Sequence, residues 1–287
     1  MSATPVDPDA TPMTTSDQRE RARVLRALHS GGPLVLPNAW DPGSAVAIQA
    51  AGARAIATTS AGVSWGVGVA DAGGLTRAAA LDVLRRIVAA VSVPVTADIE
   101  AGYGSTPDEV AETVAGVLAA GAVGVNIEDS PGTGGEPLLD PDVQAARLAA
   151  ARGAAVAAGV DLVVNARTDT YLMGVGPAAE RLTATLKRAE RYAEAGADVL
   201  FVPGVVDPDV IRELVAGPLP LNVMAHPGAL TVGELAALGV ARISVGSAIA
   251  QAAYGVAGAA ARELLGAGTY GSLEGAMEYG ELNDLLR

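Results

Sequence analysis

Five times in this 287-residue chain a helical stretch ends at a glycine and a short β-branched run begins. The glycines are Gly52, Gly121, Gly159, Gly196 and Gly239, and the runs that follow span residues 54–60, 123–130, 161–168, 198–203 and 241–246. A glycine there lets the helix terminus turn left-handed, a conformation that a Cβ disfavours. Three further apolar runs, residues 34–40, 93–100 and 219–225, bring the expected strands to eight. Helical patterns separate them; Leu182, Leu186, Ala189 and Ala193 form one apolar stripe. Helix starts are written out as Thr106-Pro107-Asp108-Glu109, a capping box with proline at the first helical position. Asp41-Pro42, Asp140-Pro141 and Asp207-Pro208 repeat the cap-then-proline signal, and Thr231 with Glu234 forms another box.

Eight alternating strand–helix units in one chain predict an α/β fold of the (β/α)8 TIM-barrel type. An open doubly wound sheet would want a glycine-rich phosphate turn after the first strand, and Pro37-Asn38-Ala39-Trp40 is not one. The expected layout is a disordered tail over residues 1–20, the barrel over 21–265, and an extra helical segment over 266–287. The tail is rich in Ser, Thr, Pro and Asp and lacks the basic start and apolar core of a secretory signal. No apolar run reaches the ~18 residues of a membrane span, so a cytoplasmic location is expected.

A net charge of −13 argues against nucleic acid and anionic membranes as partners. An anionic substrate then needs a local cation, either arginine or a metal. The chain has no cysteine, two histidines and a single lysine, Lys187, in mid-helix. That disfavours thiolate or multi-histidine zinc sites and Schiff-base chemistry.

In a barrel, chemistry sits where strands end, and polar residues gather there. Asn38, Trp40 and Asp41 end the first expected strand, and Thr58, Thr59 and Ser60 the second. Asp98 and Glu100 end the third, Asn126, Glu128 and Asp129 the fourth, and Asn165, Arg167 and Asp169 the fifth. Asn222 and His226 close the seventh, Ser244 and Ser247 the eighth. Asp98 and Glu100 are two apart on a strand and share a face. With Glu128 on the next strand they form a set of repelling carboxylates, which a cation would relieve. Oxygen ligands alone suit Mg²⁺ or Mn²⁺. Arg167 beside such a metal is a fork for a substrate carboxylate, or else a structural partner of Glu128 or Asp129. Asn222 is a candidate substrate contact. His226 reads as an acid–base group, a substrate contact or a plain loop residue; His29 reads as a surface residue. Gly62-Val63-Ser64-Trp65-Gly66 fits the G-x-S-x-G nucleophile pattern, but an elbow requires a helix next, whereas the glycine-rich residues 67–74 read as a loop over the barrel mouth.

Three strings carry a family resemblance: Thr96-Ala97-Asp98-Ile99-Glu100-Ala101-Gly102-Tyr103-Gly104, Asn126-Ile127-Glu128-Asp129 and Ala166-Arg167-Thr168-Asp169. In this order, on successive strands, they make the chain resemble the isocitrate lyase/phosphoenolpyruvate mutase superfamily over residues 34–246. The resemblance implies that Asp98 is the direct Mg²⁺ ligand, with Glu100 and Glu128 acting directly or through water. It implies that Asp71 is the acidic residue of the loop after the second strand. By the same token Ser60, Ala61 and Gly62 hold a substrate carboxylate, and Arg167 contacts substrate. Relatives bind an α-oxo or α-hydroxy carboxylate and break or form a C–C or P–C bond through a metal-stabilised enolate. Members are usually tetramers that swap a C-terminal helix between subunits, which would suit residues 266–287 and implies a homo-oligomer, dimer or tetramer.

Several positions depart from the family pattern. Glu100 stands where Asp is more usual, and Ala61 where Gly is. Residues 130–137 replace both the Lys-Cys-Gly-His gate of the lyases and the Lys- and Asn-bearing loop of the mutases. The resemblance implies a C–C lyase, oxaloacetate decarboxylase-like or methylisocitrate lyase-like; the missing cysteine weighs against the usual methylisocitrate lyase mechanism and favours decarboxylation, whose leaving group needs no thiol acid. His226 would match a histidine of the decarboxylase branch. The alternatives are P–C chemistry on phosphonopyruvate and a non-catalytic member that binds metal and ligand.

Overall fold

The recurring glycines do what their spacing demands. Gly52, Gly121, Gly159, Gly196 and Gly239 all have positive φ, between 66° and 100°, at helix-to-strand junctions. The computed structural model describes residues 15–131 and 136–287. Its elements in chain order are α1 (Thr15–Ala27), β1 (Leu34–Leu36), β2 (Asn38–Ala39), α2 (Pro42–Ala50), β3 (Ile56–Thr58), α3 (Ser60–Gly66) and α4 (Arg77–Ala90). They continue as β4 (Val95–Asp98), α5 (Pro107–Ala119), β5 (Gly124–Glu128), α6 (Pro141–Ala158), β6 (Val163–Arg167), α7 (Ala178–Glu194) and β7 (Val199–Phe201). The last are α8 (Pro208–Val215), β8 (Leu221–Met224), α9 (Val232–Ala237), β9 (Arg242–Ser244), α10 (Ala248–Gly266), a 3-10 turn (Gly271–Leu273) and α11 (Tyr279–Leu285).

All strand pairings are parallel, and their order runs from β1 through β9 down to β2. The two ends of that order are halves of one strand. Pro37, which has no N–H to give a ladder, separates β1, paired with β9, from β2, paired with β3. The Asn38 side chain spans the join: its Oδ1 accepts from Val245 N at 3.1 Å and its Nδ2 donates to Thr58 O at 3.0 Å. The result is a TIM-type (β/α)8 barrel in which each observed strand falls inside an expected run. The capping boxes at Asp41, Thr106 and Thr231 are present, and Asp140 and Asp207 cap α6 and α8.

One boundary moves. The tail expected over residues 1–20 overlaps α1, whose helix begins at Thr15; residues 1–14 lie outside the described residues. The loop expected over residues 67–74 follows α3, which runs from Ser60 through Gly66. Ser64 is consequently a fully buried helix residue rather than the apex of a nucleophile elbow.

Helix α1 closes the end of the barrel opposite the strand termini that carry the polar residues. Gln18 Nε2 donates to Leu118 O and Ala122 O, and Arg26 pairs with Asp198 at 2.7 Å and Asp161 at 2.6 Å. Leu25, fully buried, reaches the space above Gly124, where a Cβ would lie 2.9 Å from Leu25 Cδ2 and 2.7 Å from Thr96 Oγ1. His29, expected at the surface, is partly buried after α1. Burial, with the charge of Arg242 nearby, holds its imidazole down to about 4.

Beyond β9, α10 runs out from the barrel, and α11 returns to pack on α2 with Leu285 against the core. In α10 only Ala250 is buried, while Tyr254, Val256, Leu264 and Leu265 are exposed. Trp65 meets Tyr254 edge to face at 6.3 Å. No helix among the described residues is long and apolar enough to cross a membrane.

Because Leu25 fills a volume that the Gly124 backbone leaves open, Leu25→Ala leaves a cavity at the barrel floor. Denaturant unfolding should show a loss of about 2–5 kcal/mol. A loss below about 0.5 kcal/mol would mean that α1 is not part of the cooperative core.

Candidate active site

The strand ends form a cavity of about 260 Å³ at the barrel mouth, lined among others by Ser60, Asp98, Asn126, Arg167, Asn222 and Arg242. Register sets its wall. Asp98, Asn126 and Asn165 are partners across β4, β5 and β6, so their side chains point into the same interior. They are chained: Asn165 Nδ2 donates to Asn126 Oδ1 at 2.9 Å, and Asn126 Nδ2 donates to Asp98 Oδ1 at 3.1 Å. Asp98 Oδ2 accepts from the Ser60 N–H at 3.2 Å. Asn126 on β5 and the first residue of α3 thus hold one rotamer of Asp98.

Glu100 follows β4 with φ of +50°, a left-handed conformation that costs a side-chain residue of order 1 kcal/mol or more. The turn swings its carboxylate away from the barrel axis. It accepts from Tyr103 Oη at 2.9 Å and from Gly73 N at 3.3 Å. Glu128, the last residue of β5, pairs with Arg167 at 2.8 Å. Arg167 also forks onto Asp169, with Nε and Nη2 at 2.6 and 2.9 Å from its two oxygens. Glu100 and Glu128 line a neighbouring cavity with Gly73, Tyr103 and Arg147, while Asp98 lines the central one. Among the described residues, no three carboxylate or imidazole side chains are already drawn into a ligand cluster.

The electrostatics nevertheless describe a site short of positive charge. Burial pushes the Glu128 carboxyl up to about 8 against the pull of Arg167, with Asp98, Asp169 and Glu100 adding to the rise. Glu100 is raised chiefly by burial, and Asp98 and Asp71 push the same way. Hard oxygen donors whose ionised forms are disfavoured by burial and by one another are a donor set that a divalent cation fits. Asp129, beside them, is fully buried against Arg188 and Tyr192 and so belongs to the scaffold.

The other expected residues divide. Ser60 and Ala61 line the central cavity, and so does Asp71 on an exposed loop. Gly62 does not line it; a Cβ there would lie 2.8 Å from both Thr59 Cγ2 and Trp40 Cβ, so its role is close packing. Asn222 is fully buried in the wall. His226 is exposed, with Nδ1 3.0 Å from Pro227 O, outside the cavity lining. Arg242, the first residue of β9, went unnoticed in the sequence because the search followed strand ends. Its signal is a charged residue between Ala241 and Ile243 in a strand that is otherwise apolar or small. Burial pulls its guanidinium down to about 10, with Asp98 opposing that pull.

A family model described as phosphoenolpyruvate phosphomutase matches residues 25–265. The chain belongs to the isocitrate lyase/phosphoenolpyruvate mutase superfamily. Its similarity to an uncharacterised protein of Mycobacterium tuberculosis H37Rv is 44% identity, over 76% of this chain and 80% of that one. Escherichia coli K12 2-methylisocitrate lyase is 35% identical over 66% of this chain; the chain spans only 61% of that enzyme. A solved structure of phosphonopyruvate hydrolase with oxalate and Mg²⁺ superposes with a TM-score of 0.81 at 28% identity, covering 92% of this chain and 94% of that one. The superfamily's members are Mg²⁺-dependent lyases and mutases acting on small carboxylates.

The raised Glu128 carboxyl yields a pH prediction. A cation must displace its proton, so binding of Mg²⁺ at pH 7 should release close to one proton. Apparent affinity should climb up to about tenfold per pH unit and level off near pH 8. Calorimetry in buffers of different ionisation enthalpy measures both. Affinity flat from pH 6 to 8, with no proton release, would remove Glu128 from the set.

Proposed function

We propose that this superfamily member is a Mg²⁺-dependent lyase that cleaves a C–C bond of a small α-oxo or α-hydroxy di- or tricarboxylate. The observation that carries the reading is Asp98 locked at the mouth of a 260 Å³ cavity that also holds the Arg167 fork. Asp98, with Glu100 and Glu128 directly or through water, would hold the cation; Mn²⁺ suits the same oxygens. When bound, it would supply Lewis-acid polarisation of the substrate oxygen and offset negative charge as the bond breaks.

The chain's own groups do the rest. Arg167 is kept in place by Asp169, so Nη1, which pairs with Glu128, can offer its second N–H to a substrate carboxylate without losing its anchor. Ser60 and Ala61 line the same cavity and offer backbone and hydroxyl donors to that carboxylate. Asp71, on its exposed loop, is placed to add negative charge on the metal side. Tyr103 is held well above its usual range by burial and by Glu100, so it stays neutral and serves as a donor that fixes Glu100. With no thiol in the chain and His226 turned outward, cleavage that releases CO2 suits the site, because that leaving group takes no proton.

Incubation with Mg²⁺ and a panel of oxaloacetate, 2-methylisocitrate, dimethylmalate and phosphonopyruvate, followed by NMR with an EDTA control, tests the reading. Turnover of a C–C substrate that EDTA abolishes is expected, and Asp98→Ala should lower kcat/KM by at least ~10³-fold. Retained activity in that variant would overturn the site. Turnover of phosphonopyruvate alone would favour P–C hydrolysis, and oxalate binding without any turnover would favour a non-catalytic binder.

The exposed apolar residues of α10 support a homo-oligomer joined by this helix, which would be exchanged between subunits. Light scattering after gel filtration should give a dimer or tetramer, and the pair Tyr254→Glu with Leu265→Glu should shift it to monomer. A monomeric wild type would refute the exchange.

A further inference from the structure

Asn222 and Arg242 are register partners on β8 and β9, so both side chains enter the barrel at one level. Asn222 is 0% exposed and Arg242 2%. Both line the central cavity. Neither amide atom of Asn222 has a hydrogen-bond partner, nor do Nε and Nη1 of Arg242. Elsewhere Arg26, Arg152, Arg167 and Arg188 each reach a carboxylate. A buried guanidinium without one costs several kcal/mol, and a buried amide with both ends empty adds to that. A fold holding both groups on the wall of a ligand-sized cavity is stabilised when an anion arrives between them.

The geometry points to Arg242 as a specificity-determining residue whose fork, with Asn222 Nδ2, seats a second carboxylate of the substrate at the depth of the cavity. This inference rests on the proposed lyase reading, in which the metal side and Arg167 take the first carboxylate. Arg167, Phe201, Asn222 and Arg242 follow one line of register from β6 to β9, so the two cations face the cavity from strands three apart and a diacid can span them. One guanidinium and one neutral amide balance a single negative charge. A doubly charged phosphonate would bring an uncompensated charge into the same seat, so the seat favours a dicarboxylate. Asp98, the carboxylate whose field reaches Arg242, is committed to the cation in this scheme.

Calorimetric titration of the full chain with Mg²⁺ tests it, using malate, 2-hydroxybutyrate (a methyl in place of the distal carboxylate) and oxalate. The wild type should bind malate roughly 100-fold more tightly than 2-hydroxybutyrate, the scale expected when a buried charge-assisted pair is lost. Arg242→Met should erase that difference while oxalate binding stays unchanged; Arg242→Lys should restore part of it. Equal affinity of the wild type for malate and 2-hydroxybutyrate overturns the seat without any variant, even if Arg242→Met fails to fold. Equal weakening of all three ligands in Arg242→Met also overturns it, since Arg242 would then be structural. If oxalate fails to bind in a Mg²⁺-dependent way while the preference for malate persists, the metal-based reading falls and the carboxylate seat stands.

Discussion

Closing a parallel sheet on itself sends every second side chain of its strands into one shared interior, where water cannot satisfy stray polar groups. Here the closure runs through a single residue. Pro37 breaks the first strand, and Asn38 bridges the break by bonding to both neighbours. Once the ring is shut, register dictates company: Asp98 with Asn126 and Asn165, Asn222 with Arg242. The first set is hydrogen-bonded into a chain, and the second is left open. The chained set fixes Asp98 in one orientation, while the open set keeps buried donors and acceptors unpaired on the cavity wall.

The interior is also polarised. Carboxylates cluster around β4 and β5, while guanidinium groups come from β6 and β9. Arg167 stands beside the carboxylate wall, paired with Glu128, and Arg242 farther round the ring, an arrangement that would suit a chelating oxo- or hydroxy-acid together with a cation. The chain carries a net charge of −13, so the bulk surface repels such a substrate. Binding therefore depends on short-range fields inside a low-dielectric cavity, where a charge pair is worth several times its value in water.

How far the sequence reached follows from the kind of physics involved. Strand runs, cap-then-proline starts and junction glycines are local signals, and each held to within a few residues. That Asp98, Arg167, Asn222 and Ser60 line one cavity was legible because the ends of barrel strands converge. Glu100 defeated the period-two argument: a positive φ rotates it off the strand, so sharing parity with Asp98 does not give it the same cavity. Gly62 packs against Trp40 and lies outside the cavity lining, a placement set by tertiary contacts that no local signal encodes. His226 was read by chemical type, and the loop after β8 turns it outward. Arg242 was missed because it opens a strand, although the tilt of barrel strands brings that level into the cavity.

Function and stability pull against each other at identifiable atoms. Buried Glu128 and unpartnered Arg242 and Asn222 all raise the free energy of the empty protein. The opposing contributions lie at the far end of the barrel and on its outside: Leu25 packed over Gly124, Arg26 bridging Asp161 and Asp198, and the boxed helix starts. Such separation lets the mouth stay strained while the floor stays packed. It also means that filling the mouth with apolar side chains would raise stability and remove the site, because the groups that cost most in the empty cavity are those that a charged substrate and its cation relieve.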